Sequence, residues 1–309
     1  MSKHSPILSG YEWRTPPKDI DFHYIINEVA HVEETMKNNS LVYDGDLTQA
    51  VRTIHMLARY FRNYKGFDKK TSETIIFNYM EKVYREKFDL AFTRLKTIEE
   101  ACSTRRNTYN HGYKPLRDFD SIGITHAEIE KIQQLETVEE QELAFSILCF
   151  TKMYNETNRR QGRKINNLCY ISHSVLRRCI GWKRGTDQKI PEMIYELSQK
   201  GFTNIIDNFD KYEAFIPNRQ PLFTLQCLIV DPDGEEICQI DNFDTLNFTW
   251  RFLCGDKNIK KCECGRYFER KSNRQYKCPK CGGTDPKKKE KKPQSRNGKV
   301  GLKRRKNHQ

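Results

Sequence analysis

Apolar and polar positions alternate along most of this chain with the period of a helix. From Asp46, read as an N-cap, the stretch LTQAVRTIHMLARYFRNYKG sets Val51, Ile54, Leu57, Ala58 and Phe61 on one face and stops at Gly66. A second helix carries Ile75, Ile76, Tyr79, Met80 and Val83, and FDLAFTRLKTIEEAC gives a third. No Gly or Pro interrupts residues 67–111, so residues 46–117 are expected to form a helical bundle. Ahead of it, residues 1–45 hold the prolines of TPPKDIDF and one short helix, FHYIINEVAHVEETM. Residues 118–140 read as a linker with one short helix starting at an N-cap near Thr125.

The pattern changes over residues 141–256. QELAFSILCFTKMYNETN is densely apolar, with Leu143, Ile147, Phe150 and Tyr154 along one stripe. SHSVLRRCIG predicts a two-turn helix capped by Ser172 and ended by Gly181. KIPEMIYELSQKGF places Ile190, Met193, Ile194 and Leu197 at i, i+3, i+4 and i+7, with Pro191 in the first turn and Gly201 just past the end. Strand-like pieces follow: FTNII, KYEAFIP, then PLFTLQCLIV and EICQI, which the turn DPDGE is expected to join as a hairpin. The class is therefore mainly α with small β parts, an α+β chain.

Two resemblances rest on these stretches. GFDKKTSETIIFNYMEK, lying between two helices, resembles part of the small helical domain at the C-terminus of some primases and of plasmid or phage replication proteins. That likeness covers residues 46–117 and implies a part in replication. The order long helix, short helix, second helix and hairpin, with MIYELSQKGFTNI, resembles a winged-helix DNA-binding domain over about residues 141–218. It implies a duplex DNA partner.

With 309 residues, 37% hydrophobic and 31% charged, the chain is long enough for two or three domains with modest cores. No apolar run approaches twenty residues and MSKHSPILSG has no apolar signal-peptide core, so a soluble, cytoplasmic protein without a membrane partner is expected. The net charge of +13 is unevenly spread. Residues 1–140 carry 20 Lys and Arg against 22 Asp and Glu, residues 141–281 carry 23 against 17, and residues 282–309 carry 11 against 2. Basic charge thus belongs to the C-terminal half, where a polyanion would be met, while the helical bundle is left for protein contacts or self-association.

Between Arg159 and Arg184 eight basic residues and no acidic one occupy 26 positions: Arg159, Arg160, Arg163, Lys164, Arg177, Arg178, Lys183 and Arg184. They gather around the short predicted helix, where they would contact phosphates. Glu192 and Glu196 would repel phosphates, so only the start of the next helix, with Gln188, Lys189 and the preceding Arg184, could enter a groove. The other arrangement has Arg177 and Arg178 gripping the backbone while that helix stays in the core.

Four of eleven cysteines fall in KCECGRYFERKSNRQYKCPKCGG: Cys262, Cys264, Cys278 and Cys281. Four thiolates close a tetrahedral shell with no position for water, so a zinc ion here would be structural, supplying folding energy that residues 257–283 lack. The one-residue gap between Cys262 and Cys264 departs from the usual two. Arg266, Arg270, Lys271 and Arg274 add cations, interleaved with the aromatic rings of Phe268 and Tyr276. CGRYFERKSNRQYKCPKC resembles the zinc ribbons of phage and mobile-element proteins, which implies that Phe268 and Tyr276 pack under the ion, with base stacking as the other reading of the two rings. The other seven cysteines stand singly, as reduced thiols used as small hydrophobes. Residues 284–309 hold almost no apolar residue and read as a disordered basic tail.

No glycine loop cradles a phosphate and the eight histidines form no ligand pair. Asp231, Asp233, Glu235 and Glu236 in DPDGEE read as a turn rather than a nuclease site. The sequence thus points to a non-enzymatic, zinc-containing protein of a phage or mobile element that binds nucleic acid, double-stranded DNA, in replication or transcription control. A component of a nucleic-acid-processing enzyme and an RNA-binding or interaction adaptor are the competing classes.

Overall fold

The computed structural model describes residues 25–40, 47–84, 91–103, 116–182, 189–206, 222–272, 275–279 and 281–282. Its helices and small antiparallel sheets make a mixed α+β chain, and its buried apolar residues gather in three clusters. None of its described helices is long and apolar enough to cross a membrane.

The N-terminal cluster is helical. Helix α1 (Glu28–Lys37) begins at Asn27, whose side-chain oxygen accepts the Ala30 amide at 2.8 Å. Helix α2 (Leu47–Ala58) runs into a π-helical turn, Arg59–Tyr64, and is followed by α3 (Lys69–Tyr84) and α4 (Ala91–Cys102). Ile54, Leu57, Ile76, Met80 and Ile98 pack together, joined by Val29 and Val32 of α1. The expected cap Asp46 and residues 1–24 lie outside the described residues. Glu28 is fully buried; burial opposes its charge, but the Arg117 and Arg59 guanidiniums and the Arg117 amide, at 2.8 Å, hold its carboxyl below the usual range. This ties α1 to the chain where the second cluster begins.

Residues 118–140, read from sequence as a linker, are built into the larger core. Strand β1 (Ile122–Thr125) leads to α5 (His126–Gln133), with Thr125 and Glu128 forming a reciprocal capping box. Phe119, Ile122, Ile124, Ile129, Ile132 and Leu135 are buried beside α6 (Val138–Arg160). All residues from Leu143 to Phe150 are buried, so α6 runs through the middle of the core.

After α6 come β2 (Leu168–Ser172), α7 (His173–Cys179), α8 (Lys189–Gln199), β3 (Thr203–Ile205) and β4 (Leu222–Cys227). Strand β2 lies in a stretch for which the sequence pattern predicts no element: LCYIS pairs along its length with β4 and buries Cys169 and Ile171. The antiparallel sheet runs β2-β4-β3. KYEAFIP lies outside the described residues.

The expected hairpin around DPDGE does not form. Strand β5 (Glu236–Ile240) pairs antiparallel with β1, over 100 residues upstream, because β2 and β3 already occupy both edges of β4. Buried Glu128 anchors the crossing between the two sheets: it accepts the Asp231 amide at 3.0 Å, the Thr125 amide at 2.9 Å and the Lys152 ammonium at 2.8 Å. Asp231 accepts the Thr125 hydroxyl at 3.2 Å, so the first carboxylate of DPDGEE helps fasten the turn after β4 to β1, and the last, Glu236, opens β5.

Helix α9 (Leu246–Leu253) closes the core, its Trp250 ring 5.2 Å from Phe145 and its indole N–H donating to Gln141 at 3.2 Å. Between α6, α7 and α9 lies a cleft of about 470 Å³ into which Glu142 faces. Burial pushes the Glu142 carboxyl up to about 7, against the pull of Arg251 and helped by Glu139. A raised carboxyl pKa lowers stability as pH climbs from about 4.5 through 7. Glu142→Gln is therefore expected to stabilise the fold by about 1–2 kcal/mol at pH 8, less than the full shift would give because cleft water screens the charge, and to change little at pH 4. Thermal melts at the two pH values check this.

Candidate metal centre

Strands β6 (Ile259–Lys261) and β7 (Tyr267–Glu269) pair antiparallel, with Lys261 opposite Tyr267, so the first cysteine pair occupies the turn of a hairpin. The Cys262 amide donates to the Arg266 carbonyl at 2.8 Å and the Gly265 amide to the Cys262 carbonyl at 2.9 Å. Gly265 stands at φ +83°, a left-handed conformation that side chains disfavour, and it turns the chain immediately after Cys264. In the second pair, the amides of Cys281 and Gly282 donate to the Cys278 carbonyl at 3.0 and 2.7 Å. The shortened spacing of the first pair is thus accommodated by a turn of its own.

All four sulfurs lie within 4.8 Å of one another, and Cys264 Sγ is 3.6 Å from Cys278 Sγ. Four thiolates about 2.3 Å from one zinc stand roughly 3.8 Å apart, so the cluster fits a tetrahedral ion with little adjustment. Backbone amides of Cys278 and Cys264 point at Cys262, the former 3.4 Å from its sulfur, and hold that thiol down to about 6. The Cys264 and Cys278 thiols push Cys281 up to about 12. Such competition among neighbouring thiols is what a shared cation relieves. Among the described residues this is the one group of His, Cys, Asp or Glu placed to hold a metal ion.

The other seven cysteines are free thiols; Cys102, Cys149, Cys169, Cys179 and Cys227 are buried, Cys238 is half-buried and Cys254 is exposed. Burial raises the thiol pKa of Cys102, Cys149, Cys169 and Cys227, so these stay protonated as small apolar groups.

Among the described residues the module's own buried cluster is Cys262, Cys278 and Phe268, which is 3% exposed, and Ile259 of β6 is buried as well. Tyr276 does not share that place. Its side chain is 79% exposed, because one aromatic ring fills the space under the sulfurs. The hairpin docks on α9: Phe252 and Tyr267 lie 4.9 Å apart, Arg251 bridges Asp256 and Glu269 at 2.7 and 3.0 Å, and Arg266 faces Asp244 at 3.3 Å.

The cations singled out by sequence divide into groups. Arg159 and Arg160, in the last turn of α6, both pair with Glu156, and Arg160 also lies 5.3 Å over the Phe119 ring. Arg163 and Lys164 follow in an exposed segment. Arg177 and Arg178, in the last turn of α7, are half-buried; Arg177 donates to the Trp182 carbonyl at 3.4 Å and Arg178 lines the Glu142 cleft. Lys189 is exposed at the start of α8. In the metal module Arg266 is turned to Asp244 and Arg270 donates to the Lys257 carbonyl at 3.2 Å, whereas Lys271 is exposed. Lys183, Arg184 and Arg274 lie outside the described residues. Compared with protein-family models, curated proteins and solved structures, the chain matches none.

Proposed function

We propose that this protein is a non-enzymatic, zinc-containing binder of double-stranded DNA in which residues 138–227 act as a winged helix and the four-cysteine module is a structural zinc ribbon. The observation that carries the reading is the order of elements and strands. Helix α6, β2, α7, α8, β3 and β4 follow one another, and the last strand lies between the other two. That order supports a helix-turn-helix made of α7 and α8 with β3 and β4 as the wing.

Charge adds to it. Arg163 and Lys164 are exposed, as is Lys189 at the start of α8, which is where a recognition helix meets DNA. Glu192, Tyr195 and Glu196 are exposed farther along α8, so the acidic face is held away from phosphates and contact is made through the helix start. The zinc assignment follows from four sulfurs and no nitrogen or oxygen donor in the cluster, a donor set suited to a closed structural site.

Phosphate contacts from Arg163 and Lys164 predict a sequence-independent effect. Replacing both by Ala is expected to weaken binding to unrelated duplexes alike and to reduce the slope of log affinity against log salt by about 2. Fluorescence anisotropy over a salt series measures this; an unchanged slope removes these residues from the interface.

A further inference from the structure

Tyr276 is the most exposed of the large apolar side chains described, and its position is built rather than incidental. The Gln275 side chain accepts the Lys271 amide at 2.9 Å and donates to the Lys277 carbonyl at 3.3 Å, while the Gln275 amide donates to the Ser272 carbonyl at 3.1 Å. One residue after Lys277, Cys278 is fixed among the sulfurs. The ring therefore stands on a braced turn tied to the metal centre. Beside it lies an open groove of about 500 Å³ lined by Lys271, Gln275, Tyr276, Lys277 and Pro279, with no acidic residue among the described lining. The side chains of Lys271 and Lys277 are exposed.

An aromatic face flanked by cations is the chemistry of a stacking platform for a nucleobase: the ring takes the π-face of any base and the ammonium groups take the adjoining phosphates. Such a platform cannot reach a base stacked within a duplex, so its ligand is unpaired. We propose that Tyr276 stacks on an unpaired base and that Lys271 and Lys277 hold its flanking phosphates, giving the metal module a single-strand site separate from the duplex-binding winged helix. The site rests on the reading of this chain as a nucleic-acid binder and adds the class of strand that the module takes.

The test compares the full-length protein with Tyr276→Ala and Tyr276→Phe on a labelled oligothymidine strand and on a blunt duplex at the same salt. Each variant is checked for zinc content, so that loss of the module is recognised. Tyr276→Ala is expected to weaken single-strand binding about 5- to 100-fold. Tyr276→Phe, which keeps the ring, should stay within about twofold of the parent, and all three proteins should bind the blunt duplex equally. Equal single-strand affinity of parent and Tyr276→Ala overturns the site, as does parallel loss on both strands. A parent that binds the duplex but no single strand overturns the site and leaves the duplex reading intact. A parent that binds neither overturns both.

Discussion

Cys278→Ser is expected to empty the metal centre: zinc analysis of the purified full-length protein should fall from one ion per chain to nearly none. The effect should exceed the roughly 10- to 100-fold loss of affinity that follows removal of an outer-shell partner, because a thiolate ligand itself is lost. The consequence for structure is local but complete. Among the described residues of the module only Phe268, Cys262, Cys278 and Ile259 are buried, too few to hold β6 and β7 without an ion. The Arg251–Glu269, Arg266–Asp244 and Phe252–Tyr267 contacts with the rest of the chain should then loosen. The core around α6 contains none of the four ligands and should keep its unfolding midpoint. A variant that retained stoichiometric zinc would contradict the four-thiolate assignment.

The second large effect is expected at Lys152→Met. Glu128 has no exposed surface and Lys152 little, and their 2.8 Å contact joins α5 to α6 while the same carboxylate holds the amides of Thr125 and Asp231. Removing the ammonium leaves a buried carboxylate uncompensated, at a cost of about 3–5 kcal/mol. Adding Glu128→Gln should recover much of that loss, since a neutral amide needs no counter-ion. Denaturant unfolding of the single and double variants reads the difference. A loss below about 1 kcal/mol for Lys152→Met would show that water or another cation reaches Glu128.

This pair also marks the limit of what short stretches of the sequence encode. Features encoded within a few residues were legible: the helical faces of α2, α3, α6 and α8, the α5 cap at Thr125, and the two cysteine pairs. Pairing between distant segments was not. DPDGE carries a strong turn signal, and a hairpin was the local inference; the outcome was decided by β4 having β2 and β3 on its edges and by Ile122 and Ile124 needing burial. Strand β1 was hidden in a stretch of mixed polarity whose apolar residues gain a core from β5, α5 and α6. Strand β2 was hidden by its shortness, although the alternation of Cys169 and Ile171 in LCYIS could have marked it. At the metal centre the ligand set could be read from spacing, but the sequence offered two aromatics for one space. Packing gave it to Phe268 and left Tyr276 outside.

The proposed duplex binding is tested most directly by one measurement: affinity of the full-length protein for a duplex DNA of arbitrary sequence, followed across a salt series and compared with a chain ending after residue 284. The account predicts binding at low salt whose log affinity falls linearly with log salt, with a slope of several units for the full chain and a shallower slope, but persistent binding, once the 284–309 cations are removed. Absence of duplex binding by both proteins at low salt would contradict it.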